Sequence, residues 1–217
     1  MPATPIPNTV PAVIIKDLGL RDYQTTWEAM RTFTQQRNEQ CADEIWYLQH
    51  HPVYTLGLNG KRHHLLADNG IPVINVDRGG QVTYHGPGQL VSYLLIDIAR
   101  LNISVKQLVY LIEQSILDLL QYYDIHGERL TGAPGIYVDG AKIAALGLRI
   151  KHGKSYHGLA LNVDMDLNPF TDINPCGYAG MATTQLSDLL KQACPDLNTI
   201  QTQLHQHLCQ YLGYPKL

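Results

Sequence analysis

Between Ser104 and Tyr123 the chain carries an amphipathic stripe that dictates much of what the remainder must do. Val105, Leu108, Val109, Ile112, Ile116, Leu119, Leu120 and Tyr123 recur at the i, i+3, i+4, i+7 spacing of one helical face, and Ser104 is suited to the helix N-cap. A helix of this kind gains most of its stability by burying its stripe against another apolar surface. The strands supply that surface. Residues 90–98 are β-rich and almost uncharged, as in a buried strand, and 13–18, 43–49, 53–56 and 159–163 read as further strands. A short apolar run covers 71–76. Residues 136–138 and 141–150 flank Asp139-Gly140, a pair that accepts the positive φ values of a two-residue type I′ turn. Other helices are expected over 23–40, where Trp27, Met30 and Phe33 share a face, and over 184–191 and 199–211.

Strands and helices mixed in this way, with hairpin-length connections and no internal repeat, predict an α+β fold. The expectation is a single domain over 13–217, built of mostly antiparallel mixed sheets packed with helices, behind a Pro-rich arm over 1–12. A chain of 217 residues can enclose a full core, and 45% apolar with 16% charged residues argues against disorder. No apolar stretch approaches the roughly 20 residues that span a bilayer, and the start lacks the layout of a signal peptide, so a soluble cytoplasmic protein is expected. A formal charge of −3 removes bulk attraction to nucleic acid or anionic membrane, and neither is expected as a partner. The cysteines at 41, 176, 194 and 209 form no CxxC pair and read as reduced thiols. Three of them, Cys41, Cys194 and Cys209, read as buried packing residues. The histidines show no metal-ligand spacing, so no metal is expected.

Three segments are unusual for a chain that only needs to fold. Arg78-Gly79-Gly80-Gln81-Val82-Thr83-Tyr84-His85-Gly86-Pro87-Gly88-Gln89 sets hydrogen-bonding side chains among four glycines, which let backbone approach a ligand. It matches neither a phosphate-binding P-loop nor a dinucleotide fingerprint. In the second, the hairpin about Asp139-Gly140 pairs Lys142 with Tyr137 and, by strict alternation, sets Lys142 on one face with Ala144 and Leu146. In the third, Asn174-Pro175-Cys176-Gly177-Tyr178, the thiol lies between Pro175 and Gly177, in a loop context where a cysteine is reachable.

Together these segments resemble the successive motifs of the lipoyl(octanoyl) transferases. The likeness rests on Arg78 to Gln89, on Lys142-Ile143-Ala144-Ala145-Leu146-Gly147, on His157-Gly158-Leu159-Ala160-Leu161-Asn162-Val163 and on Pro175-Cys176-Gly177, with His51-Pro52-Val53-Tyr54-Thr55 upstream. It spans roughly residues 15–195 in the family's order. The resemblance implies a biotin/lipoate protein ligase-like catalytic fold and an acyltransferase that needs no cofactor. Its donor would be octanoyl-acyl carrier protein. Its acceptors would be lipoyl domains of 2-oxoacid dehydrogenase complexes and the glycine cleavage H protein, and the enzyme would be a monomer. By motif match Cys176 is the nucleophile and Lys142 lowers its pKa. Arg78, Gly79, Gly80, Gln81, Val82, Thr83, Tyr84 and His85 would line the acyl site, with Ala145, Leu146, Gly147, Gly158, Leu159 and Ala160.

The chemistry is self-consistent. A thiol with pKa near 8.5 is only a few per cent thiolate at neutral pH. Lowering it by two units takes about 2.7 kcal/mol, and an ammonium about 4 Å away supplies on the order of 4 kcal/mol before desolvation. His85 and His157 are alternative bases. From 140 to 163 and from 78 to 96 there is no acidic residue, and Arg149, Lys151 and Lys154 suit an acidic carrier protein. Two other readings stand beside this one. An ATP-dependent lipoate or biotin ligase on the same fold would need no cysteine, and a non-catalytic acyl or lipoyl-domain binding module would form no covalent adduct.

Overall fold

The computed structural model describes residues 12–174 and 180–215. The helix expected from the apolar stripe is α2, Val105–Tyr122. Its start is a capping box in which Ser104 accepts from the Gln107 N–H and Gln107 Oε1 accepts from the Ser104 N–H. Leu108, Ile112, Ile116, Leu119 and Leu120 are buried. The other long helices are α1, Tyr23–Gln36, and α4, Leu197–Leu212; a short α3 covers Leu186–Leu190. Asp22 and Asp196 cap α1 and α4, and Gly213 ends α4 in the left-handed conformation. Helix α1 stops four residues short of the expectation because Arg37 turns extended and inserts its guanidinium between the Leu95 carbonyl and Asp43.

Among the described residues ten strands form two sheets. They are β1 Ile14–Arg21, β2 Glu44–His50, β3 Val53–Leu56, β4 Val73–Asn75, β5 Val82–His85, β6 Gln89–Leu95, β7 Glu128–Leu130, β8 Ala133–Val138, β9 Ala141–Lys151 and β10 Lys154–Asn162. The larger sheet runs β1-β2-β6-β10-β9-β8-β7 and the smaller β4-β3-β5. The pairs β1–β2 and β3–β4 are parallel and the rest antiparallel, so the mostly antiparallel α+β domain is found.

Period-2 alternation divides the larger sheet. Ile45, Tyr47, Leu90, Leu94, Leu159 and Leu161 face α2 and α4 and form the main core. Burying each such aliphatic side chain is worth about 1.5–3 kcal/mol. Their neighbours Trp46, Leu48, Val91, Tyr93, Leu95, Tyr156 and Ala160 form a second cluster with Met30 of α1. The smaller sheet has its own core of Tyr54, Leu56, Val82, Tyr84, Phe170 and Ile173. Strand β5 lies inside the glycine-rich segment of 78–89, for which no strand was assigned. Cys209 lies in the main core as expected, whereas Cys41 and Cys194 are only half-buried.

Candidate active site

The β8–β9 hairpin turns on Asp139 and Gly140, with φ of 49° and 78° and Val138 paired to Ala141, as a type I′ turn requires. Lys142 pairs with Tyr137 as expected, but the next pair is Ala144 with Ile136, so Ile143 is an extra residue and the strand bulges there. A bulge resets the alternation. Lys142 therefore shares the cavity wall with Ala145 and Gly147 rather than a face with Ala144 and Leu146, while Ile143 and Ala144 sink into the main core. Lys142 is 5% exposed. Its ammonium donates to the Pro134 carbonyl at 3.4 Å and stands 5.1 Å from the centre of the Tyr137 ring. Gly135 makes room for it, because a Cβ there would sit 3.4 Å from Lys142 Nζ and 2.6 Å from the Ala144 carbonyl oxygen.

From Lys142 the cavity runs along the sheet face opposite α2 and α4. Its floor is set by register, with Ala145 opposite Ala160 and Val91, then Gly147 opposite Gly158 and Tyr93. Residues this small leave a trough where bulky side chains would otherwise stand. Gly158 has no alternative, since a Cβ there would lie 2.0 Å from the Ser92 carbonyl oxygen. The glycine-rich loop forms the opposite wall. Arg78, 7% exposed, donates from Nη2 to Thr55 O and Oγ1 and to Gln81 O, and from Nη1 to Gly79 O. Its guanidinium thus organises the loop against β3. The Gly79 N–H donates to Leu148 O, which ties the loop to β9.

Polar groups close the wall. Asp77 accepts from Trp27 Nε1 at 2.9 Å, from His157 Nε2 at 3.2 Å and from the Tyr156 hydroxyl. Burial alone would raise its pKa, but these three donors together hold the carboxyl well below the usual range. His157, at φ 60°, is held in the left-handed region within β10, and its Nδ1 is buried without a hydrogen-bond partner. His50 bonds the Arg21 carbonyl through Nδ1 and Tyr93 through Nε2, and its ring lies against those of Tyr23 and His85. Burial lowers His50 to about 4, lowers His85 and His157, and raises Tyr23 to about 12. This end of the cavity thereby presents neutral rings.

Most residues singled out in the sequence converge here. Arg78, Gly80, Gln81, Val82, Thr83, His85, Lys142, Ala145, Leu146, Gly147, Gly158, Leu159 and Ala160 line one cavity. Two do not. Gly79 acts through its bond to Leu148, and Tyr84 packs with Tyr54 and Phe170 in the core of the smaller sheet. Leu146 and Leu159 border the cavity while packing with the main core. Cys176 lies outside the described residues, as do residues 1–11 of the expected arm. The described chain on either side of it is anchored. Asn174 N donates to His64 O, Lys142 N to Ala182 O and Thr184 N to Lys142 O, so residues 182–184 run beside Lys142. Lining residues not assigned to the site from the sequence are Tyr23, Gln89, Val91, Tyr93, Asn162, Phe170 and Thr183, of which Gln89 and Asn162 lie within its motifs. Asp77 was missed as well. It borders the acid-free stretch of 78–96 and brings one carboxylate to the cavity wall. Among the described residues no group of three or more histidine, cysteine or acidic side chains is placed to hold a metal.

Residues 22–209 match the model of the lipoyl protein ligase A/B catalytic domain. An octanoyltransferase of Aromatoleum aromaticum is 58% identical over 187 residues, covering 86% of this chain and 81% of that one. An octanoyltransferase of Stutzerimonas stutzeri is 56% identical over 200 residues, covering 92% and 90%. In fold, the chain is similar to a bi-partite lipoate protein ligase of Thermoplasma acidophilum, with a TM-score of 0.76 at 11% identity over 95% of this chain and 86% of that one.

Proposed function

This chain belongs to the lipoyl protein ligase A/B catalytic-domain family, and we propose that it carries the octanoyl group as a thioester on Cys176 between donor and acceptor. It is an acyltransferase of protein lipoylation, an octanoyltransferase like the relatives to which it is more than half identical. The donor in this reading is octanoyl-acyl carrier protein. The acceptors are lysines of lipoyl domains, in 2-oxoacid dehydrogenase complexes and the glycine cleavage H protein. The enzyme works as a monomer in the cytoplasm, as the single catalytic domain of 13–217.

The observation that carries the reading is the placement of Lys142, a buried ammonium at one end of a trough floored by alanine and glycine. An ammonium in low dielectric favours a neighbouring thiolate over a thiol, which is what a cysteine nucleophile needs at neutral pH. The trough offers an apolar bed whose burial of each methylene is worth about 0.8 kcal/mol. It also keeps water from the thioester. Arg78 to His85 shape one wall and residues 145–147 and 158–160 the floor. Arg149 and Lys151 are exposed, and Arg149 adjoins Leu148, whose carbonyl holds the loop through Gly79, so both can meet an acidic carrier. Lys154 instead donates to Arg37 O and contributes less to docking.

Exchange of one thioester for another is nearly even and thioester to amide is downhill, so no ATP is required. The test is octanoyl transfer from octanoyl-acyl carrier protein to a lipoyl domain without ATP. Wild type transfers and Cys176→Ala does not. Transfer that requires ATP and survives Cys176→Ala would establish the ligase reading instead.

A further inference from the structure

A line of hydrogen bonds runs from His85 across three strands and ends beside Lys142. His85 Nδ1 lies 2.7 Å from Gln89 Oε1; Gln89 Nε2 is 2.9 Å from Asn162 Oδ1 and 3.3 Å from Tyr84 O; Asn162 Nδ2 is 3.0 Å from Thr184 O. All three side chains in the line are buried, at 6%, 2% and 4% exposure. Thr184 N in turn donates to Lys142 O.

The polarity of the line is fixed from its ends. A backbone carbonyl can only accept, so Thr184 O obliges Asn162 to donate through Nδ2 and to accept on Oδ1. Gln89 must then donate through Nε2, and Tyr84 O independently demands the same. Gln89 Oε1 is thereby left facing His85, which must carry its proton on Nδ1. A neutral imidazole protonated there has a lone pair on Nε2, and the ring lines the cavity that also contains Lys142.

The geometry points to Gln89 and Asn162 as positioning residues that lock His85 in the Nδ1–H tautomer, so that Nε2 accepts a hydrogen bond from the attacking amine of the acceptor lysine. This inference rests on the octanoyltransferase reading above. In the second half-reaction the amine nitrogen bonds to the thioester carbonyl carbon and the carbon–sulfur bond breaks. Lys142, neutral once it has given its proton to the departing carrier thiolate in the first half-reaction, takes one amine proton, and the Cys176–Lys142 pair ends as thiolate and ammonium. The second N–H remains on the new amide, and His85 holds the nitrogen through it, neither gaining nor losing a proton. The first half-reaction has no amine nucleophile and does not need this acceptor.

The experiment measures the two half-reactions separately in single turnover, with octanoyl-acyl carrier protein as donor and a lipoyl domain as acceptor. Gln89→Leu removes the lock, and transfer to the lipoyl domain is expected to slow about tenfold or more while acylation of the enzyme stays within about twofold. Gln89→Glu keeps the size and the acceptor oxygen but adds a negative charge that favours imidazolium. Its transfer rate relative to wild type should fall as pH is lowered from about 8 to 6 and recover at the alkaline end, because imidazolium has no lone pair to offer. This variant keeps the test alive if Gln89→Leu fails to fold. Equal slowing of both half-reactions, or a ratio that does not change with pH, would overturn the positioning role while leaving the octanoyltransferase reading intact. Failure of wild type to form any acyl-enzyme would overturn both.

Discussion

The two faces of the seven-stranded sheet are built from the same strands and serve opposite ends. On the face under α2 and α4, Leu90, Leu94, Leu159 and Leu161 are at most 2% exposed and pack in the main apolar core. One residue along, on the other face, the same strands present Gln89, Val91, Tyr93, Gly158, Ala160 and Asn162. Here small and polar residues are interleaved with Val91 and Tyr93, and a cavity stands open beside the second apolar cluster. Stability and chemistry are thus separated by a single step of the pleat, so substitutions on the two faces should separate in what they change.

The largest expected effect is on the helix-covered face. Leu161→Ala should cost about 2–5 kcal/mol and lower Tm by several degrees, while activity per folded molecule stays near wild type. A stable but inactive Leu161→Ala protein would break the comparison. On the cavity face, Lys142→Ala should reduce acyl transfer by about 100-fold or more. It should also move the pH midpoint of thiol alkylation at Cys176 upward, because an ammonium no longer favours the thiolate. Equal iodoacetamide reactivity of variant and wild type between pH 6 and 9 would remove Lys142 from the mechanism.

The smallest of these effects concerns pH. His50, His85 and His157 are held neutral by burial, with His50 lowered from 6.5 to about 4. Below pH 6.5 the unfolded chain takes up protons that the folded chain refuses. Their contribution is therefore complete above pH 6.5 and is lost progressively as pH falls toward the folded values. For His50 alone the loss at pH 5.5 is on the order of 1 kcal/mol. His50→Gln should flatten this part of the profile in thermal melts, and an unchanged slope would mean that the cavity-face ring cluster carries no such cost.

Much of this division was legible in the sequence because it is periodic. The α2 stripe, its Ser104 cap and the Asp139-Gly140 turn each follow from local rules, and the structure contains all three. The motif residues also converge on one cavity. What escaped detection depends on a single inserted residue or on partners far apart in the chain. The bulge at Ile143 leaves no mark in an apolar run, yet it decides that Lys142 stands with Ala145 instead of Ala144. Asp77 carried no local signal, because its partners Trp27 and Tyr156 lie 50 and 79 positions away. Gln89 and Asn162 are 73 positions apart, and only the β6–β10 register brings them together.

The central claim is that the cavity face serves a covalent relay through Cys176. The most direct measurement is intact-mass spectrometry of the protein after incubation with octanoyl-acyl carrier protein in the absence of ATP, followed by peptide mapping. One octanoyl increment is expected, located on Cys176 and absent from Cys176→Ala. An unmodified wild-type protein, or an increment on any other residue, would contradict it.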